Sequence, residues 1–158
     1  MEKIVKVGVL VVKREKILLI REWSETRKGY FWNIVKGTYD NAIDKKFSDC
    51  AIREAKEEIG VNISLKGFVG IIVKYGHNIR VYVSFTASVV DGKPQIATKK
   101  EQLKRKENIC DVIWLTKKEI ERISADDFLS DVAYSTVQKW IKNEVFSLDL
   151  IEEIVLNG

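Results

Sequence analysis

Hydrophobic and polar positions along the chain change period several times. Ile4 to Val12 is a long apolar run rich in β-branched residues. After the polar stretch Lys13-Arg14-Glu15-Lys16, the run Ile17-Leu18-Leu19-Ile20-Arg21 returns. Two such runs about a polar turn predict a strand hairpin. Glu22 to Gly29 is polar and reads as a loop. Tyr30-Phe31-Trp32-Asn33-Ile34 reads as a short aromatic strand running to Gly37, and Thr38 to Asp44 as a second loop. Further on, Val61–Lys74 and Ile79–Val90 are β-rich runs around Tyr75-Gly76-His77-Asn78, a hairpin turn, and Asp91-Gly92-Lys93-Pro94 ends the second run. Lys99 to Glu107 is a charged loop or fragment of helix, and Ile109 to Leu115 a strand. Thr116 caps a short helix, Lys117 to Arg122, in a Thr-x-x-Glu arrangement.

From about Lys45 to Ile59 the period becomes helical. Phe47, Ala51, Ala55 and Ile59 recur every four residues with Cys50 and Ile52 beside them, which predicts a four-turn helix with one apolar stripe. Asp44 or Ser48 suits its start, and Gly60 suits the left-handed position past its end. From Asp126 onward, Phe128, Val132, Val137, Trp140, Ile141 and Val145 mark one or two C-terminal helices; Trp114 and Trp140 read as core. There is no repeat, low-complexity tract or Pro/Gly-rich linker, so residues 1–158 read as one domain. Strands, one helix, more strands and then helices make an α+β or α/β layered domain.

Bulk properties narrow this little. A chain of 158 residues, 46% hydrophobic and 32% charged, can bury a proper core and is not a disordered one. The first residues lack the apolar stretch of a signal peptide and no segment approaches membrane-spanning length, so no membrane partner is expected. Cys50 and Cys110 are too few for a disulfide framework, and no Cys/His spacing suggests zinc. A reduced cytoplasmic compartment is the default expectation. The net charge of +4 agrees with a polyanionic small molecule such as a nucleotide, but is too small to argue for nucleic acid.

The predicted helix carries an electrostatic oddity. Glu54, Glu57 and Glu58 stand at i, i+3 and i+4, where like charges oppose a helix by roughly 0.2–0.5 kcal/mol per pair. Two of them sit in the last turn, where the macrodipole disfavours anions by about 0.3–1 kcal/mol each. A divalent cation among the three removes that cost, and an all-carboxylate set suits Mg²⁺ or Mn²⁺. The plainer reading is a solvated, charge-rich surface with Arg53 and nearby lysines as partners.

The order of residue types shifts the balance between them. Arg53-Glu54-Ala55-Lys56-Glu57-Glu58-Ile59-Gly60-Val61 resembles the second half of the Nudix box, G-x5-E-x7-R-E-U-x-E-E-x-G-U with U bulky or aliphatic. Trp32-Asn33-Ile34-Val35-Lys36-Gly37 is similar to the strand and glycine that precede the Nudix helix. The chain departs from the pattern in one place. Gly37 to Arg53 is two residues longer than the template, which puts Lys45 where the box has its first glutamate, with Asp44 or Asp40 as stand-ins.

The resemblance implies a Nudix α/β/α sandwich with a mixed sheet over roughly residues 3–123, with 124–158 a C-terminal helical extension that packs on the domain or on a partner subunit. It implies a Mg²⁺ (or Mn²⁺) dependent hydrolase that cleaves the diphosphate linkage of a nucleoside diphosphate joined to another moiety: a nucleoside triphosphate, a dinucleoside polyphosphate or a nucleotide sugar. Glu54, Glu57 and Glu58 would hold metal and Arg53 would orient a box glutamate. Lys36, Gly37 and Tyr39 would meet substrate. The general base would be Glu58, Glu101 or Glu107. Family members often dimerise, which leaves a homodimer open. Lys99, Lys100, Lys104, Arg105 and Lys106 could contact distal phosphates or an RNA 5′ end, but read more simply as a solvated basic loop. His77 is the only histidine and reads as a turn residue. The rival reading is a catalytically silent Nudix-like module that binds nucleotide or RNA as a sensor, favoured by the lengthened loop and Lys45.

Overall fold

The two N-terminal apolar runs form β1 (Lys3–Lys13) and β2 (Lys16–Ser24). In the computed structural model, which describes residues 2–157, they are followed by β3 (Gly29–Asn33), β4 (Val35–Thr38) and α1 (Phe47–Ile59). Then come β5 (Asn62–Lys74), β6 (Ile79–Asp91), α2 (Lys99–Arg105), β7 (Ile109–Thr116), α3 (Lys117–Glu121) and α4 (Asp131–Ile141). Short 3-10 turns at Ala125–Asp127 and Leu148–Leu150 flank α4.

β1 is the pivot of the sheet. It runs parallel to β6 from the Lys3–Ile79 pair to the Val11–Ala87 pair, and antiparallel to β4 on its other edge. β6 in turn pairs antiparallel with β5. The hairpin to β2 keeps only two pairs, Val12–Ile17 and Lys13–Lys16, before the strands diverge, and β2 then carries β3 on one side and β7 on the other. One parallel junction among antiparallel ones makes the sheet mixed.

Side chains alternate across it as the strand period requires. Val7, Val9, Leu18 and Ile20 face α1, where Cys50, Ala51, Ala55 and Ile59 are fully buried. Leu10, Ile17 and Leu19 face the other way, onto Ile120 of α3, Phe128, and Ala133, Val137 and Trp140 of α4. The result is an α/β/α sandwich in which α4 is an outer layer of the domain itself. No helix among the described residues is long and apolar enough to cross a membrane.

Some local expectations shift, and others hold. β2 runs on through Glu22 and Trp23, which pair with Phe31 and Tyr30, because strand pairing overrides the polarity that reads as a loop. The charged stretch from Lys99 is a helix, with Thr98 and Glu101 forming a reciprocal capping box. α1 starts at Phe47 rather than Lys45, and Ile52 lies on its exposed side. Gly60 closes α1 in the left-handed region (φ 70°), its N–H donating to the Lys56 carbonyl.

If α4 is an integral layer, Trp140→Ala, which empties a site now 8% exposed, should cost about 3–5 kcal/mol in urea unfolding. A loss below 1 kcal/mol would show that the helix merely rests on the sheet.

Candidate active site

The C-terminal half of α1 lies across the end of β4, and the contact is very close. A Cβ on Gly37 would fall 1.8 Å from the Glu54 carboxyl carbon, so only glycine leaves room for that carboxylate. One residue earlier, the Lys36 backbone N–H donates to Glu58 Oε2 at 3.4 Å. The strand thereby lays its backbone against two of the three clustered glutamates. In front of them is a cavity of about 530 Å³ whose wall includes Glu54, Glu57 and Glu58 together with Lys6, Lys36 and Arg105.

Arg53 holds the acidic turn together. Its guanidinium donates through Nε and Nη2 to the two oxygens of Asp44 (2.9 and 2.8 Å), and through Nη1 to Glu54 (2.6 Å) and Glu57 (3.3 Å). Nη2 also reaches the Thr38 carbonyl at 3.2 Å. The bidentate arrangement on a buried carboxylate is the strong form of this pair, and hydrogen bonding to Arg53 holds Asp44 below its ordinary pKa. Asp44 also accepts from the Asp40 N–H at 3.2 Å, so one carboxylate joins the loop before α1 to the arginine inside it. Of the two aspartates offered as stand-ins for the box's first glutamate, Asp44 is the one that meets Arg53, while Lys45 is exposed beside it.

A second element comes in from α2. Its end is turned by Lys106 in the left-handed region (φ 55°), after which Glu107 points back to the site. Arg105 Nη2 donates to the Glu57 carbonyl at 2.8 Å and its Nε to Glu107 Oε1 at 3.0 Å. Glu54, Glu57 and Glu107 each present an oxygen within 4.8 Å of the others. Glu107 Oε2 is buried and has no hydrogen-bond partner among the described residues.

These carboxylates suppress one another's ionisation. Burial first, then repulsion from Glu22, Glu54 and Glu107, pushes Glu58 well above the ordinary carboxylate range. Burial likewise raises Glu54 and Glu107, against the pull of Arg53 and Arg105 respectively. Burial, with Lys6 nearby, lowers the Lys36 ammonium.

Of the residues singled out in the sequence, Arg53, Glu54, Glu57, Glu58, Lys36 and Gly37 meet at this cavity or brace it. Two do not. The Glu101 carboxylate is turned to solvent and spent on the Thr98 N–H and hydroxyl (3.0 and 2.9 Å), which also keeps its pKa low. Tyr39 packs edge-on to Phe47, with ring centroids 5.0 Å apart, beside the C-terminal segment. Of the basic cluster only Arg105 reaches the site; Lys99, Lys100, Lys104 and Lys106 are exposed, as is His77 in its turn. Glu22 and Asn33, which lines the cavity and donates to Glu22 at 2.7 Å, carried no signal: Glu22 reads as loop, and a lone Asn in an aromatic strand has no partner until the sheet pairs.

The donor set fits a small divalent cation. It offers only hard oxygen ligands, it includes a buried oxygen lacking any partner, and its glycine cradle keeps β4 backbone close.

A family model described as NUDIX domain matches residues 2–134. Comparison with curated protein sequences gives no match. Among solved structures, a NUDIX hydrolase from Nitrosomonas europaea is 16% identical, with 99% of this chain and 100% of that one covered at a TM-score of 0.78. A MutT NUDIX hydrolase from Burkholderia pseudomallei is 15% identical, covering 88% and 98% at 0.68. The NUDIX domain of Shewanella oneidensis NrtR, solved as a complex with ADP ribose, is 15% identical, covering 90% and 89% at 0.66. At these identities the likeness establishes the fold.

The raised carboxyls give a signed pH dependence. Folded, metal-free protein keeps protons that the unfolded chain releases above the ordinary value of 4.5. Their contribution to stability is full below that pH and is lost as pH rises through the raised values. In EDTA, scanning calorimetry at stepped pH should show this component lowering Tm on the way up, less steeply in Glu58→Gln; identical slopes would contradict it. Gly37→Ala should destabilise by about 1–3 kcal/mol in urea, because Glu54 must move.

Proposed function

The chain belongs to the Nudix family, and from that premise we propose that it is a Mg²⁺-dependent hydrolase. Its substrate would be a nucleoside diphosphate joined to another moiety, as in a nucleoside triphosphate, a dinucleoside polyphosphate or a nucleotide sugar. The observation that carries this reading is the convergence of Glu54, Glu57 and Glu107, within 4.8 Å, on a cavity that also presents Lys6, Lys36 and Arg105. Acid on one side and base on the other is what a metal-bound polyphosphate requires. The ADP ribose held by the Shewanella NrtR domain belongs to the same substrate chemistry.

In this reading Glu54, Glu57 and Glu107 would hold the cation, which would supply charge neutralisation on the phosphates and make a water more acidic. Lys36, Lys6 and Arg105 bind the phosphate oxygens, and desolvation strengthens each such contact. Glu58 is the general base: it is buried beside the cluster, that burial holds it above the ordinary carboxylate range, and the Lys36 N–H orients it. It takes the proton of the attacking water as the new P–O bond forms. The anhydride P–O bond then breaks, and the leaving phosphate carries off the electron pair. Arg53 is a positioning residue that keeps Glu54 and Glu57 from swinging apart.

The test is release of phosphate, pyrophosphate or nucleotide from a panel of nucleoside triphosphates, dinucleoside polyphosphates, nucleotide sugars and ADP-ribose, with Mg²⁺ or EDTA. Turnover of one class should vanish in EDTA and drop about 10²–10⁴-fold in Glu58→Gln, the range for a lost general base. Glu57→Gln should instead weaken Mg²⁺ affinity. Tight nucleotide binding with no turnover by any member would replace the hydrolase by a sensor module.

A further inference from the structure

α1 begins without a side chain able to cap it. Its N-cap is Lys46, extended at φ −136° and ψ 162°, and an ammonium cannot accept the first amide hydrogens of a helix. Asp49 folds back to take the N–H groups of Lys45 and Lys46, at 3.1 and 3.0 Å. Of the amides of the first turn itself, two are met by one carboxylate from the C-terminal segment: Phe47 N–H donates to Glu153 Oε1 at 2.5 Å, and Ser48 N–H to both Glu153 oxygens at 3.4 Å.

The segment that brings Glu153 there is anchored. Phe146 and Phe68 exchange both backbone hydrogen bonds, each 2.9 Å, so the chain after α4 joins β5 at one rung. Leu148 and Ile151 then pack against the core on the α1 side. Residues 151–154 finish over Tyr39 and Phe47, leaving a crevice of about 220 Å³. An anion at this end of α1 is favoured by the macrodipole that the acidic cluster at the other end opposes.

The loop fastened in this way is the one that is two residues longer than the Nudix template, and it carries Asp44, the bidentate partner of Arg53. A continuous path therefore runs from Glu153 through the first turn of α1 to Asp44, Arg53, Glu54 and Glu57. We propose that Glu153 is a positioning residue for the carboxylate site, a cap lent by the C-terminal segment that holds the lengthened loop and the helix in register. The inference rests on the reading that Glu54 and Glu57 hold metal.

The experiment measures three things on full-length protein: amide exchange at Phe47 and Ser48, Tm, and Mg²⁺ affinity by titration calorimetry at a temperature where every variant is folded. Glu153→Ala should speed exchange at both amides and lower Tm by about 2–4 °C, the size of one lost N-cap in a chain of this length. It should also weaken Mg²⁺ binding by about 10-fold, the lower end for groups that support ligands. Adding Lys46→Asp to that variant restores a local cap and should recover all three; Glu153→Gln, which keeps an acceptor, should fall between. A fall in Tm with Mg²⁺ affinity unchanged would reduce Glu153 to a structural cap and overturn the proposal, as would failure of the Lys46→Asp rescue. Because none of the three readouts needs turnover, a Glu153 effect on metal binding in a protein that hydrolyses nothing would sink the proposed reaction and leave this inference standing.

Discussion

The arrangement of this molecule turns on carboxylates placed where a helix least wants them. Glu54, Glu57 and Glu58 occupy the C-terminal half of α1, and two of them are buried. Left alone, they would repel each other and the helix end. Arg53 is the internal answer. A guanidinium is always charged and offers five donors in a fixed fork, so one side chain ties Asp44, Glu54, Glu57 and the Thr38 carbonyl together. A lysine could not span that set. What Arg53 does not neutralise is the free edge of the cluster, the side facing the cavity, and that residual charge is what a cation would meet.

The elements around α1 serve that edge from three directions. β4 brings glycine so closely that the strand backbone and the Glu54 carboxylate share one space. α2 is only seven residues long, yet its two capped ends fix both Arg105 against the Glu57 carbonyl and Glu107 against the cluster. The C-terminal segment reaches the opposite end of α1 with Glu153. Each is a contact of high sequence separation, and each fixes a charged group whose position, rather than whose presence, gives the site its chemistry.

The departure from the Nudix pattern becomes intelligible in the same terms. The first glutamate of the box is replaced by Lys45, which faces solvent, while its neighbour Asp44 turns inward and pairs with Arg53. At the start of α1 the N-cap is Lys46, and the carboxylate missing there comes from the C-terminal segment.

Much of this was legible along the chain. Strand and helix periods depend on which face of each element is buried, and that record is local: the hairpin, α1 with its stripe and Gly60, and the β5–β6 pair all stand where hydrophobic spacing places them. The Arg-Glu-x-x-Glu-Glu order likewise marks the site, because one helical turn fixes the relation of those side chains. Only the fold could decide the rest. Whether Glu101 or Glu107 enters the cluster depends on a single left-handed residue, Lys106, that turns one toward the cavity after a capping box has claimed the other. Tyr39 belongs to packing because Phe47 and the C-terminal segment close over it. Glu22 joins the site because sheet pairing extends β2 beyond its apolar stretch and sets it beside Asn33 of β3. Local spacing sets what each element is, and contacts between residues far apart in the chain set which of its side chains share a cavity.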